Sequence, residues 1–164
     1  MKTFILVRHA KPHAQAATQK DFDRTLNERG ERDARLMGQR LARANIHPDL
    51  IVSSPAKRAL ATARIIAAAI GYAAADIVLN AKIYEAKLSD LLGVINGFDD
   101  RAPSVMLIGH NPGASELAID LTVAPIEDMP TCAVAQIALR VDVWADVRQG
   151  SGKLIEFDYP KKEI

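Results

Sequence analysis

The sequence predicts an α/β domain built as a three-layer α/β/α sandwich, with a mostly parallel sheet and an antiparallel C-terminal edge. Strand-like and helix-like segments alternate through residue 121. Two of the strand-like segments, 3–7 and 104–108, are continuous apolar or β-branched runs, which is typical of strands buried on both faces. The chain then ends in two strand-like segments, 133–141 and 153–158, joined by a turn.

Length and composition limit the class of protein. A length of 164 residues predicts one domain, and 49% hydrophobic with 25% charged residues is ordinary globular composition. A net charge of +1 is too small to attract nucleic acid or an anionic membrane surface, so we expect neither as a partner. The single Cys132 cannot form an internal disulfide, and the N-terminal apolar run is too short for a signal peptide or a membrane span. We expect a cytoplasmic protein.

The first strand ends in two titratable residues, Arg8 and His9. In open α/β sheets, ligands bind in the crevice at the carboxyl ends of the strands. One such dipeptide, taken alone, is better explained by a solvated loop with a surface histidine. Its interpretation therefore depends on whether other strands end in the same kind of residue.

A long polar segment, 10–26, separates the first strand from a helix that begins after Asn27 and runs to about residue 45. A loop of that length in a compact domain is often functional. Within it we expect Asp21 and Asp23 to be solvated charges, and we retain Arg24 as a candidate substrate-binding residue.

A second short strand, 50–52, leads into a helix for which Ser54 is the predicted N-cap and Pro55 the first residue. Gly71 is its predicted C-cap. Arg58 falls in the first turn, where an arginine is unfavourable because the helix N-terminus is itself positive. An anion held in front of the helix would explain it.

A weak third strand, 77–79, is followed by a strand-like segment, 83–86, and by a helix from Ser89 to about residue 97. Glu85 lies at the end of the strand-like segment and could face the same crevice. A lone carboxylate there is either a structural residue or a general acid.

The strand 104–108 runs into His110, and Asn111 and Pro112 are the predicted N-cap and first residue of the next helix. A second histidine thus ends a second long buried strand, in front of a helix N-terminus. This repetition favours a shared ligand over two unrelated structural histidines.

Two guanidinium groups and two imidazoles at one sheet edge suit a phosphoryl group. Arginine's planar fork matches phosphate oxygens in pairs. An imidazole can act as a nucleophile, and fixed positive groups offset charge on the phosphoryl oxygens during transfer. The candidate catalytic and phosphate-binding residues are therefore Arg8, His9, Arg58 and His110.

These segments resemble the histidine phosphatase superfamily, also called phosphoglycerate mutase-like. The resemblance is carried by Arg8-His9-Ala10, by the segment 53–63 around Arg58, and by Gly109-His110-Asn111-Pro112-Gly113. The segments 23–30 and 130–161 are similar to the small bacterial branch of SixA-type phosphohistidine phosphatases. The likeness covers nearly the whole chain and implies a single histidine phosphatase domain over residues 1–164.

The resemblance implies that His9 is the nucleophile and that Arg8, Arg58 and His110 form the phosphate pocket. Glu85 falls where larger members often keep a carboxylate acid, and Ala10 replaces the usual glycine. The family implies no metal and no dissociable cofactor. The expected substrate is a protein that carries phosphohistidine, with a small phosphomonoester as the alternative.

Three rival interpretations remain open at this point. A metallohydrolase could use His9, His13 and His110; a non-catalytic module could bind phosphate alone; a mutase could move phosphate within one molecule. The inserted segments that enclose small substrates in larger relatives have little room here. The third and fourth strands are 24 residues apart (80–103), and the loop 10–26 has 17 residues. An uncovered site favours a protein substrate.

Overall fold

The computed structural model describes residues 1–162 and contains a six-stranded sheet with helices on both faces. The strands are β1 (Lys2–Arg8), β2 (Leu50–Ser53), β3 (Val78–Leu79), β4 (Ser104–Gly109), β5 (Val134–Leu139) and β6 (Gly152–Asp158). The helices are α1 (Glu28–Arg43), α2 (Lys57–Ile70), α3 (Leu88–Asn96) and α4 (Gly113–Thr122).

The strand order is β3-β2-β4-β1-β5-β6. Strands β1, β4, β2 and β3 pair in parallel, whereas β5 runs antiparallel to β1 and β6 antiparallel to β5. The predicted fold class is therefore confirmed, including its antiparallel C-terminal edge. Because β1 lies between β4 and β5, its carboxyl end is central to the sheet.

Strand β1 is buried on both faces, as its continuous apolar run predicts. Phe4 and Leu6 belong to the core on one face of the sheet, with residues of α3 and α4. Ile5 and Val7 belong to the core on the other face, with residues of α1 and α2. Successive side chains of a strand point to opposite faces, so a single run supplies both cores. These are the three predicted layers.

Two predicted helix caps are confirmed, and the predicted starts of α2, α3 and α4 differ from the structure by one or two residues. Helix α3 begins at Leu88, one residue before the predicted Ser89. Asn27 caps α1 by accepting a hydrogen bond from the Gly30 N–H at 2.8 Å, and Gly71 ends α2 at a φ of 78°. Helix α2 begins at Lys57, and Ser54 is not its N-cap. Ser54 lies too far ahead of the first turn and instead accepts from the Ala56 N–H at 3.2 Å.

Helix α4 begins at Gly113, one residue later than predicted, so Pro112 and not Asn111 is its N-cap. The Asn111 side chain still accepts a hydrogen bond from the N–H of Ser115 at 3.1 Å. The expected strand-like segment 83–86 is wrong. A short 3₁₀ turn, Ala81–Ile83, buries Ile83 and leaves Glu85 in a turn at a φ of 55°.

Among residues 1–162, no helix has the length and apolarity needed to cross a membrane.

Candidate active site

The carboxyl ends of β1 and β4 meet at one point of the sheet edge. Arg8 pairs with Gly109 in the parallel register, and the backbone N–H of His9 donates to the Gly109 carbonyl at 3.0 Å. The His9 and His110 rings lie with their centroids 5.0 Å apart. Adjacent parallel strands thus bring together two histidines that are 101 residues apart in the sequence, as their positions predict.

His9 is buried, with 6% of its surface exposed, and its ring has a defined orientation. Its Nδ1 lies 2.8 Å from the Ala10 carbonyl oxygen. A carbonyl only accepts hydrogen bonds, so Nδ1 carries the ring proton and Nε2 keeps its lone pair. Burial lowers the pKa of His9 to about 3, and the nearby His110, Arg58 and Arg8 act in the same direction. At neutral pH the ring is an uncharged nucleophile.

Arg58 projects from the first turn of α2 and is almost fully buried. Its Nη1 donates to the Asp21 carbonyl oxygen at 2.7 Å and its Nη2 to Asp21 Oδ2 at 2.9 Å. Arg8 is held from the other side, where Nη1 donates to the Met129 carbonyl at 2.8 Å. Burial lowers the pKa of Arg8, and the charge of Asp128 partly offsets that effect. Both guanidinium groups are therefore held by hydrogen bonds from their terminal Nη atoms.

His110 is half-buried and contacts Ser54, whose Oγ lies 2.7 Å from Nε2. That Oγ already accepts from the Ala56 N–H, so its own hydrogen is available to donate to Nε2. In this arrangement the ring proton of His110 is on Nδ1. Burial, followed by the charge of Arg58, lowers the pKa of His110 to about 4, so this ring is also neutral at pH 7.

Unpartnered buried donors concentrate at this edge of the sheet. Six buried side-chain polar atoms within residues 1–162 have no hydrogen-bond partner, and half of them belong to this cluster: Arg8 Nε, Arg58 Nε and His110 Nδ1. Buried polar groups are normally paired, because an unmade hydrogen bond costs free energy. A tetrahedral oxyanion would supply acceptors to all three donors at once.

Asp21 and Tyr84 join the cluster, so the expectation that Asp21 is only a solvated charge is wrong. No sequence pattern indicated either residue. The Tyr84 hydroxyl donates to Asp21 Oδ2 at 2.7 Å, and Arg24 Nη1 donates to Oδ1 at 3.1 Å. Burial alone would raise the pKa of Asp21, but the hydrogen bonds from Tyr84, Arg58 and Arg24 hold it well below its usual range. Burial and then Asp21 raise the pKa of Tyr84 to about 12.

Two other predicted residues lie at the margin of this cluster. Arg24 donates through Nε to the His13 carbonyl at 3.0 Å and through Nη1 to Asp21, so its guanidinium is used within its own loop. Glu85 is exposed and lines a cleft of about 390 Å³ together with His110 and Glu116. The structure therefore places Arg24 against Asp21, and Glu85 in the same cleft as His110.

His13, the third histidine of the metallohydrolase alternative, is exposed in the loop after β1. Within residues 1–162, no group of three or more histidine, cysteine, aspartate or glutamate side chains is arranged to hold a metal ion. The geometry favours the anion-binding interpretation of this sheet edge.

Comparison with known proteins gives the same family as the resemblance of the sequence segments. The family model of the histidine phosphatase superfamily (branch 1) matches residues 4–106. An uncharacterized protein of Mycobacterium tuberculosis is 35% identical over 94% of this chain and 100% of its own length. SixA from Agrobacterium tumefaciens, assigned as a phosphohistidine phosphatase, is 31% identical, with a TM-score of 0.82 over 97% of this chain and 98% of its own.

A more distant structure shares the fold. Mycobacterial glucosyl-3-phosphoglycerate phosphatase is 15% identical, with a TM-score of 0.68 over 94% of this chain and 97% of its own. Together with the sequence match, these likenesses place the chain in the histidine phosphatase superfamily, in its SixA-type branch, and make it a phosphatase.

Proposed function

We propose that this phosphatase hydrolyses phosphohistidine on proteins, that a phosphoryl group is carried transiently on His9, and that no metal takes part. The observation that carries the proposal is the free Nε2 lone pair of a buried, neutral His9 beside three unpartnered donors. A nucleophile and preorganised donors around one point are what phosphoryl transfer requires.

In the first step, His9 Nε2 attacks phosphorus and the P–N bond to the substrate imidazole breaks. The departing imidazole keeps the electron pair of that bond and takes a proton from water. The phosphorylated His9 ring is positively charged while Nδ1 keeps its proton, and the Ala10 carbonyl accepts that N–H at 2.8 Å. In the second step, water attacks phosphorus, inorganic phosphate leaves, and the neutral ring is restored.

Arg8, Arg58 and His110 stabilise the transferring group. Their unpartnered Nε, Nε and Nδ1 atoms are buried, so donation to the phosphoryl oxygens costs little reorganisation during the reaction. In such a site, electrostatic stabilisation of the equatorial oxygens is the main contribution of the protein.

The preference for a protein substrate rests on the placement of the two chain segments that flank the site. Helix α3 places Leu91, Val94 and Ile95 in the core below and so does not fold over the pocket. The loop 10–26 is tied to α2 through Asp21 and Arg58, which makes it a rim. The likeness to a SixA protein assigned as a phosphohistidine phosphatase supports the same substrate.

The leaving group gives a second argument for phosphohistidine. A departing imidazole needs little protonation, whereas an alkoxide needs a general acid. The carboxyl group nearest the cluster, Asp21, is held in its ionised form by three donors and cannot serve as that acid. Glu85, which lines a cleft with His110, is a carboxylate that favours the alternative, a small phosphomonoester. The fold shared with glucosyl-3-phosphoglycerate phosphatase also supports that alternative.

The test compares turnover of a phosphohistidine protein with turnover of sugar and glycerate phosphates, with and without a chelator. We expect the higher kcat/KM for the phosphohistidine protein, release of inorganic phosphate, and activity that survives chelation. Acid-quenched enzyme should carry an acid-labile label that is absent from His9→Ala. Phosphate moved within a small molecule would identify a mutase, and phosphate bound without turnover would identify a binding module.

A further inference from the structure

Asp21 contacts three side chains of the site and loop, and none of the mechanism above uses it. We infer that Asp21 is a positioning residue that orients the Arg58 guanidinium and keeps the pocket's affinity for inorganic phosphate low. The inference deepens the proposed function and rests on it, because it concerns the release of that reaction's product.

The first step is the geometry at Arg58. A guanidinium has five N–H donors in one plane, which form two usable edges. Asp21 takes the outer edge, with its carbonyl oxygen on Nη1 at 2.7 Å and its Oδ2 on Nη2 at 2.9 Å. The other edge carries the buried Nε, which has no partner within residues 1–162. Asp21 therefore determines which edge of Arg58 is left for a phosphoryl group.

The second step is the rigidity of Asp21 itself. Tyr84 donates to Oδ2 and Arg24 donates to Oδ1, so one donor from a distant turn and one from the same loop hold the carboxylate. The Tyr84 ring also packs edge-on against His110, with centroids 5.5 Å apart. One carboxylate thus connects the Arg58 side of the pocket to the His110 side.

The third step is charge. Both histidines are neutral at pH 7, so the positive charges of the pocket are those of Arg8 and Arg58. The charge of Asp128 acts on Arg8, and the ionised Asp21 lies directly against Arg58. A fixed negative charge beside Arg58 repels a phosphate dianion. A loose, metaphosphate-like transition state has less charge on the transferred group, so it is repelled less. Asp21 therefore weakens the binding of product more than the binding of the transition state, which is the difference that speeds turnover.

Asp21→Asn tests the charge, because the amide oxygen can still accept from Arg58 and the backbone carbonyl is unchanged. We expect inorganic phosphate to bind about three- to tenfold more tightly by calorimetry, the size expected for one charge acting across a partly solvated site. We also expect kcat to fall while KM does not rise. Asp23→Asn is the matched control, because within residues 1–162 the Asp23 carboxylate pairs only with the exposed Lys57, at 3.5 Å.

Asp21→Ala tests the orientation, because it removes the side-chain contact to Nη2. We expect a loss of kcat/KM in this variant that Asp21→Asn shows only in part. Unchanged or weaker phosphate binding in a folded Asp21→Asn protein would overturn the inference, as would equal effects from Asp23→Asn. Calorimetry with phosphate needs no turnover, so this result is independent of whether the wild-type protein hydrolyses phosphohistidine.

Discussion

The backbone N–H of Ala10 donates to the Thr62 hydroxyl at 2.9 Å, and that hydroxyl donates to the Arg58 carbonyl at 2.8 Å. Thr62 and Ala10 are both fully buried. One hydroxyl therefore couples the residue after the nucleophile to the helix turn that carries Arg58.

Thr62→Val should destabilise the protein, because it leaves the buried Ala10 N–H without an acceptor while keeping the side-chain shape. An unsatisfied buried donor costs about 1–3 kcal/mol, which urea unfolding can measure. Thr62→Ser keeps the hydroxyl and should recover most of that loss. Equal stability of Thr62→Val and the wild type would show that the Ala10 N–H finds another partner.

Arg58→Ala should slow turnover by about 10²–10³-fold, the usual cost of removing one preorganised donor. The thermal unfolding midpoint should change little by comparison, because the Arg58 head group contacts the partly exposed Asp21. Arg64→Ala is the control, since Arg64 is exposed on the same helix. A near-normal rate, or an unfolded variant, would make Arg58 a structural residue.

Ser54→Ala should lower kcat about tenfold or more without abolishing folding. Without the Ser54 hydroxyl, Nε2 of His110 loses its 2.7 Å partner and the ring proton is no longer directed to Nδ1. Partners that set a histidine's tautomer are strong determinants of its function. Ser53→Ala removes a neighbouring buried hydroxyl that donates only to the Ser54 carbonyl, and it should leave kcat near normal. A similar loss in both variants would point to packing instead.

The sheet edge was predictable because strand periodicity and strand ends are local patterns. Arg8 and His110 each end a long apolar run, and parallel strands place such ends side by side. Asp21 was not predictable, because its contact with Arg58 spans 37 residues and lies in a loop without periodicity. Ser54 shows a different limit. The pattern Ser-Pro before a helix is typical of an N-cap, and only the fold reveals that this hydroxyl contacts His110.

Glu85 shows a third limit of local patterns. Ile83, the apolar residue before Tyr84, favours a strand in the sequence. In the structure a 3₁₀ turn places the Ile83 side chain in the core next to α3, so no strand is needed to bury it. The position of the turn was determined by tertiary packing, which overrides short-range propensity.

The two buried histidines should make stability depend on pH. Their pKa values lie near 3 for His9 and near 4 for His110 in the folded state, against about 6.5 in an unfolded chain. Below pH 6.5 the unfolded state therefore binds more protons, so stability is complete above that pH and is lost as pH falls toward 4.

His9→Asn should flatten this dependence between pH 6.5 and 4, by up to about 1.4 kcal/mol per pH unit. The measurement is urea unfolding at a series of pH values. His47→Asn serves as the control, because His47 is exposed, and it should leave the slope unchanged. The same slope in His9→Asn as in the wild type would mean that His9 does not remain neutral in the folded protein.

Glu85→Gln should separate substrates by their leaving groups. Glu85 is exposed and shares the cleft of about 390 Å³ with His110, so a leaving group that occupied this cleft would meet a carboxyl group that stays in contact with water. General acid catalysis typically contributes about 10²–10⁴-fold where the leaving group needs a proton. An alkyl phosphate needs one, whereas an aryl phosphate and phosphohistidine need it much less. We therefore expect Glu85→Gln to slow hydrolysis of an alkyl ester much more than hydrolysis of the other two substrates.

Glu116→Gln, which changes a carboxylate on α4 in the same cleft, is the control and should affect all three substrates alike. If Glu85→Gln slows the three substrates equally, Glu85 is not the acid, and the site relies on a leaving group that departs without one.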